Sequence, residues 1–111
     1  MNITTGSYDE ARAVLQGGRD ADRRKVDNNT YLERRENGDI AVRLHGTDVV
    51  TYRRDGGTTL DTGGWFTVTT KDRINKYAGP FRVWSVKGVW YVHGPRGVDC
   101  PAVPFVDGMT V

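Results

Sequence analysis

Apolar and polar residues alternate along much of this chain with the two-residue period of strands. Residues 30–36 and 39–45 flank Asn37-Gly38, a pair that supplies the positive φ values of a type I′ turn, and so read as a hairpin. In its second strand Ile40, Val42 and Leu44 fall on one face and Ala41, Arg43 and His45 on the other. Residues 47–53 make a third strand through Val49, Val50 and Tyr52, and Asp55-Gly56-Gly57 turns it into a short strand at 58–61. Gly63-Gly64 leads into a threonine-rich strand over 65–69. A last hairpin joins 81–86 to 89–93 through Lys87-Gly88.

Two segments switch to helical spacing. Ser7 and Glu10 form a capping-box pattern, Tyr8, Ala11, Val14 and Leu15 share one helical face, and Gly17-Gly18 stops the helix. Thr70 is expected to cap a second, basic helix with Asp72 in its first turn, Ile74 and Tyr77 as its buried stripe, and Gly79-Pro80 at its end. Ile40, Val42, Leu44, Val49, Val83 and Tyr91 are expected in the core with that stripe, as are Trp65, Val68 and Val89. The predicted fold is α+β: a short N-terminal helix, a twisted and mainly antiparallel sheet, and one basic helix inserted before a C-terminal hairpin. Residues 1–94 read as one compact domain with a polar linker at 19–29, and 95–111 as an irregular tail containing proline and glycine.

Composition agrees with that architecture. A chain of 111 residues is one domain by size, and fourteen glycines suit a turn-rich β protein better than a helical bundle. Sixteen basic and fourteen acidic side chains leave a formal charge of +2, too small to imply a polyanionic partner by itself. The excess comes after Leu60, notably at Lys71, Arg73, Lys76, Arg82 and Lys87. Cys100 is the single cysteine, so no intrachain disulfide can form. The first residues lack the basic and apolar regions of a signal peptide, and no apolar run is long enough for a membrane span.

Few motifs carry chemistry. His45 and His93, the two histidines, have no Cys or His at metal-ligand spacing, so no metal or cofactor is expected. Arg43, His45 and Asp48 are close enough to suggest an acid–base set, although solvation of an open sheet face is the favoured explanation. The glycine pairs match neither a dinucleotide nor a P-loop fingerprint. The richest constellation runs from Trp65 to Lys76. Hydroxyls at Thr67, Thr69 and Thr70 precede a helix start, where free amides can receive an anion, and Lys71, Arg73 and Lys76 supply charge. Trp65, Trp84, Trp90 and Tyr91 read either as core or as a base-stacking platform, with Trp84 and Trp90 facing each other across the last hairpin.

The stretches NNTYLERRENGDIAVRLHGTDVVTY, LDTGGWFTVTTKDRIN and KGVWYV resemble a family of small hypothetical proteins of bacteriophages and prophages. The resemblance covers residues 28–92 and implies a phage context and the host bacterial cytoplasm; it adds no chemistry. The function expected from the residues is a non-catalytic binder of a phosphate-bearing ligand, nucleic acid first, through Arg43, Thr67, Thr69, Thr70, Lys71, Arg73 and Lys76. A protein–protein module that modulates a host or defence protein is the alternative, with a host or phage protein as partner. A nucleotide-acting enzyme with His45 and Asp48 as acid and base ranks third.

Overall fold

In a computed structural model describing residues 3–93 and 102–111, the alternating segments form an antiparallel meander. Strands β1 (Arg23–Asp27), β2 (Thr30–Arg34), β3 (Ile40–Leu44), β4 (Thr47–Tyr52) and β5 (Thr58–Leu60) lie side by side in chain order, and β9 (Met109–Thr110) closes the far edge. Leu32, Val42, Val50 and Leu60 stand in register across four strands and build the floor of the core. Helices α1 (Tyr8–Gln16) and α2 (Val68–Tyr77) cover this floor, burying Ala11, Leu15, Ile74 and Tyr77 in one continuous cluster. A second sheet, β6 (Arg82–Val86), β7 (Val89–His93) and β8 (Val103–Pro104), packs on α2 through β6. The α+β class and the order of helices and hairpins follow the sequence pattern.

Two bulges explain where that pattern breaks. On β4 the pairing steps from Arg43↔Asp48 to Val42↔Val50, so Val49 is the extra residue and both valines can face inward. On β1 it steps from Lys25↔Tyr31 to Asp27↔Thr30, which turns both Val26 and Asp27 toward the helices. This strand replaces the linker expected at 19–29. It is an edge strand, and its alternate positions carry Arg23 and Lys25 to solvent, so a hydrophobic repeat is missing.

Three further expectations change. The residues after Gly63 and Gly64, both at positive φ, form no strand; α2 begins at Val68 with Thr67 as its cap, so Asp72 falls outside its first turn. Threonine serves a strand and an N-cap equally well, and the capping geometry wins here. The Asn37-Gly38 hairpin exists, but its loop is Glu36–Gly38, closed by Arg35 N–H to Asp39 O, and Gly38 alone is left-handed. In the last hairpin Lys87 and Gly88 are both at positive φ, and the register sets Trp84 against Tyr91, with Trp90 on the opposite face. Of the segment read as a tail, Val103–Pro104 pairs with β7 and Met109–Thr110 with β5, while Cys100 lies outside the described residues.

The N-terminal segment is tied to the end of α2. Tyr52, fully buried on β4, has its hydroxyl 2.5 Å from the Tyr77 carbonyl oxygen and 3.0 Å from both the carbonyl and the hydroxyl of Thr5. Gly79, at φ 65, lies against Gly6, where a Cβ would collide with the Gly6 carbonyl. Tyr52→Phe keeps the ring and removes the hydroxyl, leaving the buried Tyr77 carbonyl and Thr5 hydroxyl short of a partner. Loss of about 1–3 kcal/mol in urea unfolding is expected. An unchanged midpoint would show that water replaces the hydroxyl.

Candidate functional site

The start of α2 is a threonine structure. Thr67 Oγ1 accepts the Thr70 amide at 3.2 Å and donates to the Thr70 hydroxyl at 3.1 Å, and the first backbone bond of the helix runs from Lys71 N–H to the Thr67 carbonyl. The amides of Val68 and Thr69 precede that bond. Facing this helix end is the β3–β4 turn, where His45 takes a left-handed conformation at φ 55. Between the two lies a groove of about 670 Å³. Leu44 and Val49 supply its apolar surface, Thr47, Thr62, Thr67, Thr69 and Thr70 its hydroxyls, and Trp65 and His45 its aromatic edges.

The structure therefore brings together three of the residues expected from sequence, Thr67, Thr69 and Thr70, and separates them from the cations. Lys71 Nζ donates to Ser85 Oγ at 2.7 Å and sits over the Trp90 ring. Arg73 donates to Thr30 Oγ1 at 3.0 Å and to Asp72 at 2.6 Å, and its side chain is only 14% exposed. Lys76 Nζ is 2.5 Å from Asp27 Oδ2. Arg43 is on the sheet face away from the helices, 3.3 Å from Glu33, a carboxylate that Arg23 and Arg35 also hold. Asp48 is bonded there by Arg35, whereas His45 lines the groove, so the two do not form an acid–base pair.

Sequence reasoning missed the tail's part in anchoring the groove wall. Asp107 accepts from the Thr62 amide and hydroxyl, each at 2.8 Å, which fixes the residue on which the Gly63-Gly64 turn depends. Phe105 joins Phe66 and Trp90 in an aromatic cluster with ring centroids 5.1–6.4 Å apart, Phe66 meeting both other rings edge-to-face. The Asp107-Gly108 pair was the available signal, a turn dipeptide between two short strands. Trp65 and Val68, expected in the core, are 67% and 82% exposed, and Val89 is also exposed.

Residues 8–111 match the family model described as Kyanoviridae Gp96 protein. The chain belongs to the Kyanoviridae Gp96 family. This is a phage protein family, which agrees with the phage context implied by the resemblance. No curated protein and no solved structure matches the chain. Among the described residues of this Gp96 family member, no helix is long and apolar enough to cross a membrane.

The cations turned away from the groove have an electrostatic cause. The Lys76 ammonium, then the Asn28 amide, hold the Asp27 carboxyl below the usual carboxylate range, and Arg73 adds to this. Burial pushes Glu33 up, but hydrogen bonds from Arg35 and Arg23 and the Arg43 charge outweigh it, so Glu33 also lies below its ordinary value. A carboxyl with a depressed folded pKa contributes stability above its unfolded pKa and loses it as pH falls through the folded value. Stability should therefore be flat near neutrality and drop below about pH 4. Asp27→Asn should cost on the order of 2 kcal/mol, less than a fully buried pair because Lys76 can turn to water, and should shrink the acid-side loss. Urea melts between about pH 7 and pH 3 test both, and an acid limb identical in wild type and variant would overturn the assignment.

Proposed function

We propose that this phage protein is a non-catalytic accessory protein that acts in the host bacterial cytoplasm by docking an apolar segment of a host or phage protein at the groove between α2 and the β3–β4 turn. One observation carries the reading: among the described residues the groove is lined by no Lys, Arg, Asp or Glu, and Trp65, Phe66 and Val68, which bracket its threonines in sequence, are 67%, 53% and 82% exposed. Large side chains left in water beside an apolar concavity are the usual mark of a surface that another protein covers. Tryptophan is also the side chain that most often dominates such contacts.

A phosphate-bearing ligand at the same junction has less support. The hydroxyls and the early amides of α2 are in place, but Arg73 and Lys76 are held by Asp27 and Lys71 by Ser85. An anion in the groove would gain helix-end amides without a neutralising side chain. An enzyme acting on nucleotides has less still, because Asp48 is bonded to Arg35 and not to His45.

Capture from infected host lysate, with nuclease present, tests the docking reading. Val68→Asp places an acid in the first turn of α2, where the helix end tolerates it, so folding should be unaffected. Val68→Asp and Trp65→Ala should each lower recovery of the partner at least about tenfold, the scale of one buried anchor residue. Substitution of the exposed Arg12 on α1 should leave recovery unchanged. The same proteins recovered equally by all variants would refute the groove as the docking site.

A further inference from the structure

The hairpin β6–β7 has two unlike faces. Val83, Trp90 and Val92 are buried toward α2. On the outer face, the cross-strand pairs are Arg82 with His93, Trp84 with Tyr91, and Val86 with Val89, and Pro104 of β8 lies next to Tyr91. Trp84 and Tyr91 stack at a centroid distance of 6.1 Å and an interplanar angle of 29°, and His93 meets Trp84 edge-on at 5.6 Å. Neither ring is buried, and Val86 and Val89 are about half exposed.

Charge on this segment is one-sided. No acidic side chain occurs between Asp72 and Asp99, although five of the chain's sixteen basic residues fall there. Eleven basic residues face fourteen acidic ones over the rest, so the small net charge conceals a segregation. Arg73 and Lys76 of this stretch are held by Asp27, but Arg82 and Lys87 are exposed: Arg82, in register with His93, donates a long 3.5 Å bond to the Asn75 carbonyl, and Lys87 is at the hairpin tip.

We infer that the outer face of β6–β7 binds single-stranded nucleic acid, with bases extending the Trp84–Tyr91 stack and phosphates met by Arg82 and Lys87. Stacking needs bases that are not already stacked within a duplex, and a sheet face offers rings without an element to enter a groove. The absence of carboxylates from residues 73–98 lessens the repulsion a polyanion would otherwise meet along the hairpin. This surface is separate from the groove proposed to dock a protein, so either can stand without the other.

Fluorescence anisotropy with a labelled oligothymidylate at low salt tests the inference. The wild type should bind, and the matching duplex should bind more weakly. Trp84→Ala should lower affinity about 5- to 150-fold, as loss of one base–ring stack does. Trp84→Phe keeps a ring and should retain most of the affinity, which separates stacking from misfolding if the alanine variant is unstable. Lys87→Asn keeps the left-handed turn and should reduce the slope of log affinity against log salt by about 0.7. Trp65→Ala, in the groove, should change nothing here. Absence of oligothymidylate binding, equal binding by Trp84→Ala, or tighter binding of the duplex would each overturn the inference. Capture of a protein that is lost with Trp84→Phe, in place of nucleic acid, would reassign the face to a protein partner.

Discussion

One buried carboxylate decides how this fold presents its charge. Asp27 faces inward because β1 carries a bulge at Val26, and it then meets Lys76, Arg73 and the Asn28 amide. An ionised group in that position is stable only if paired, so α2 must lie with its basic residues toward the edge of the sheet. Arg73 reinforces this by donating to Thr30 on the next strand. The helix is basic in sequence, yet Arg73 and Lys76 act as struts. What it leaves open is its amino-terminal end, built from threonines and flanked by exposed apolar side chains.

The opposite end of α2 is fixed by different means. The Tyr52 hydroxyl reaches the last carbonyl of the helix, and the glycine pair Gly6 and Gly79 lets the N-terminal segment cross directly against the residue after its cap. With both the side and the end of the helix held, its start is placed over the β3–β4 turn with little freedom. The groove thus stands on a helix cap, a strand turn and a loop pinned by Asp107, each with its own hydrogen bonds. A site supported in this way needs little reordering when it is filled.

Sequence reading succeeded where one local force dominates. The cap of α1 is present, with Ser7 Oγ accepting the Glu10 amide at 3.2 Å, and the inward repeat of β3 follows alternation alone. It failed where two local states have similar cost or where a partner is distant. Edge strand β1 looked like linker because its polar positions are solvated. Thr67, Thr69 and Thr70 could be marked as a cluster, but not assigned to a cap instead of a strand. The partner of Lys76 lies 49 residues away, so no local pattern could show that its charge is already used. Alternation alone places Trp84 opposite Trp90, but a two-residue turn fixes the register one step off and sends them to opposite faces.

Arg43 follows the same logic on the far side of the sheet. Glu33 is almost fully buried there, and three arginines surround it. Removing a carboxylate from water is costly, and the guanidinium groups compensate by bonding it directly. Arg35 bridges on to Asp48, and Arg23 lies over the Tyr31 ring at 4.1 Å, so the cluster spans β1 to β4 and stiffens a face that no helix covers. Among the described residues the buried Arg43 Nε has no hydrogen-bond partner, although Nη1 of the same side chain reaches Glu33. The charges of the Asp27 and Glu33 clusters are therefore spent on holding the sheet and helix in place. The surfaces left with unsatisfied physical chemistry are apolar and aromatic, which is why the docking and stacking readings rest on Trp65, Val68, Trp84 and Tyr91 and not on the basic helix.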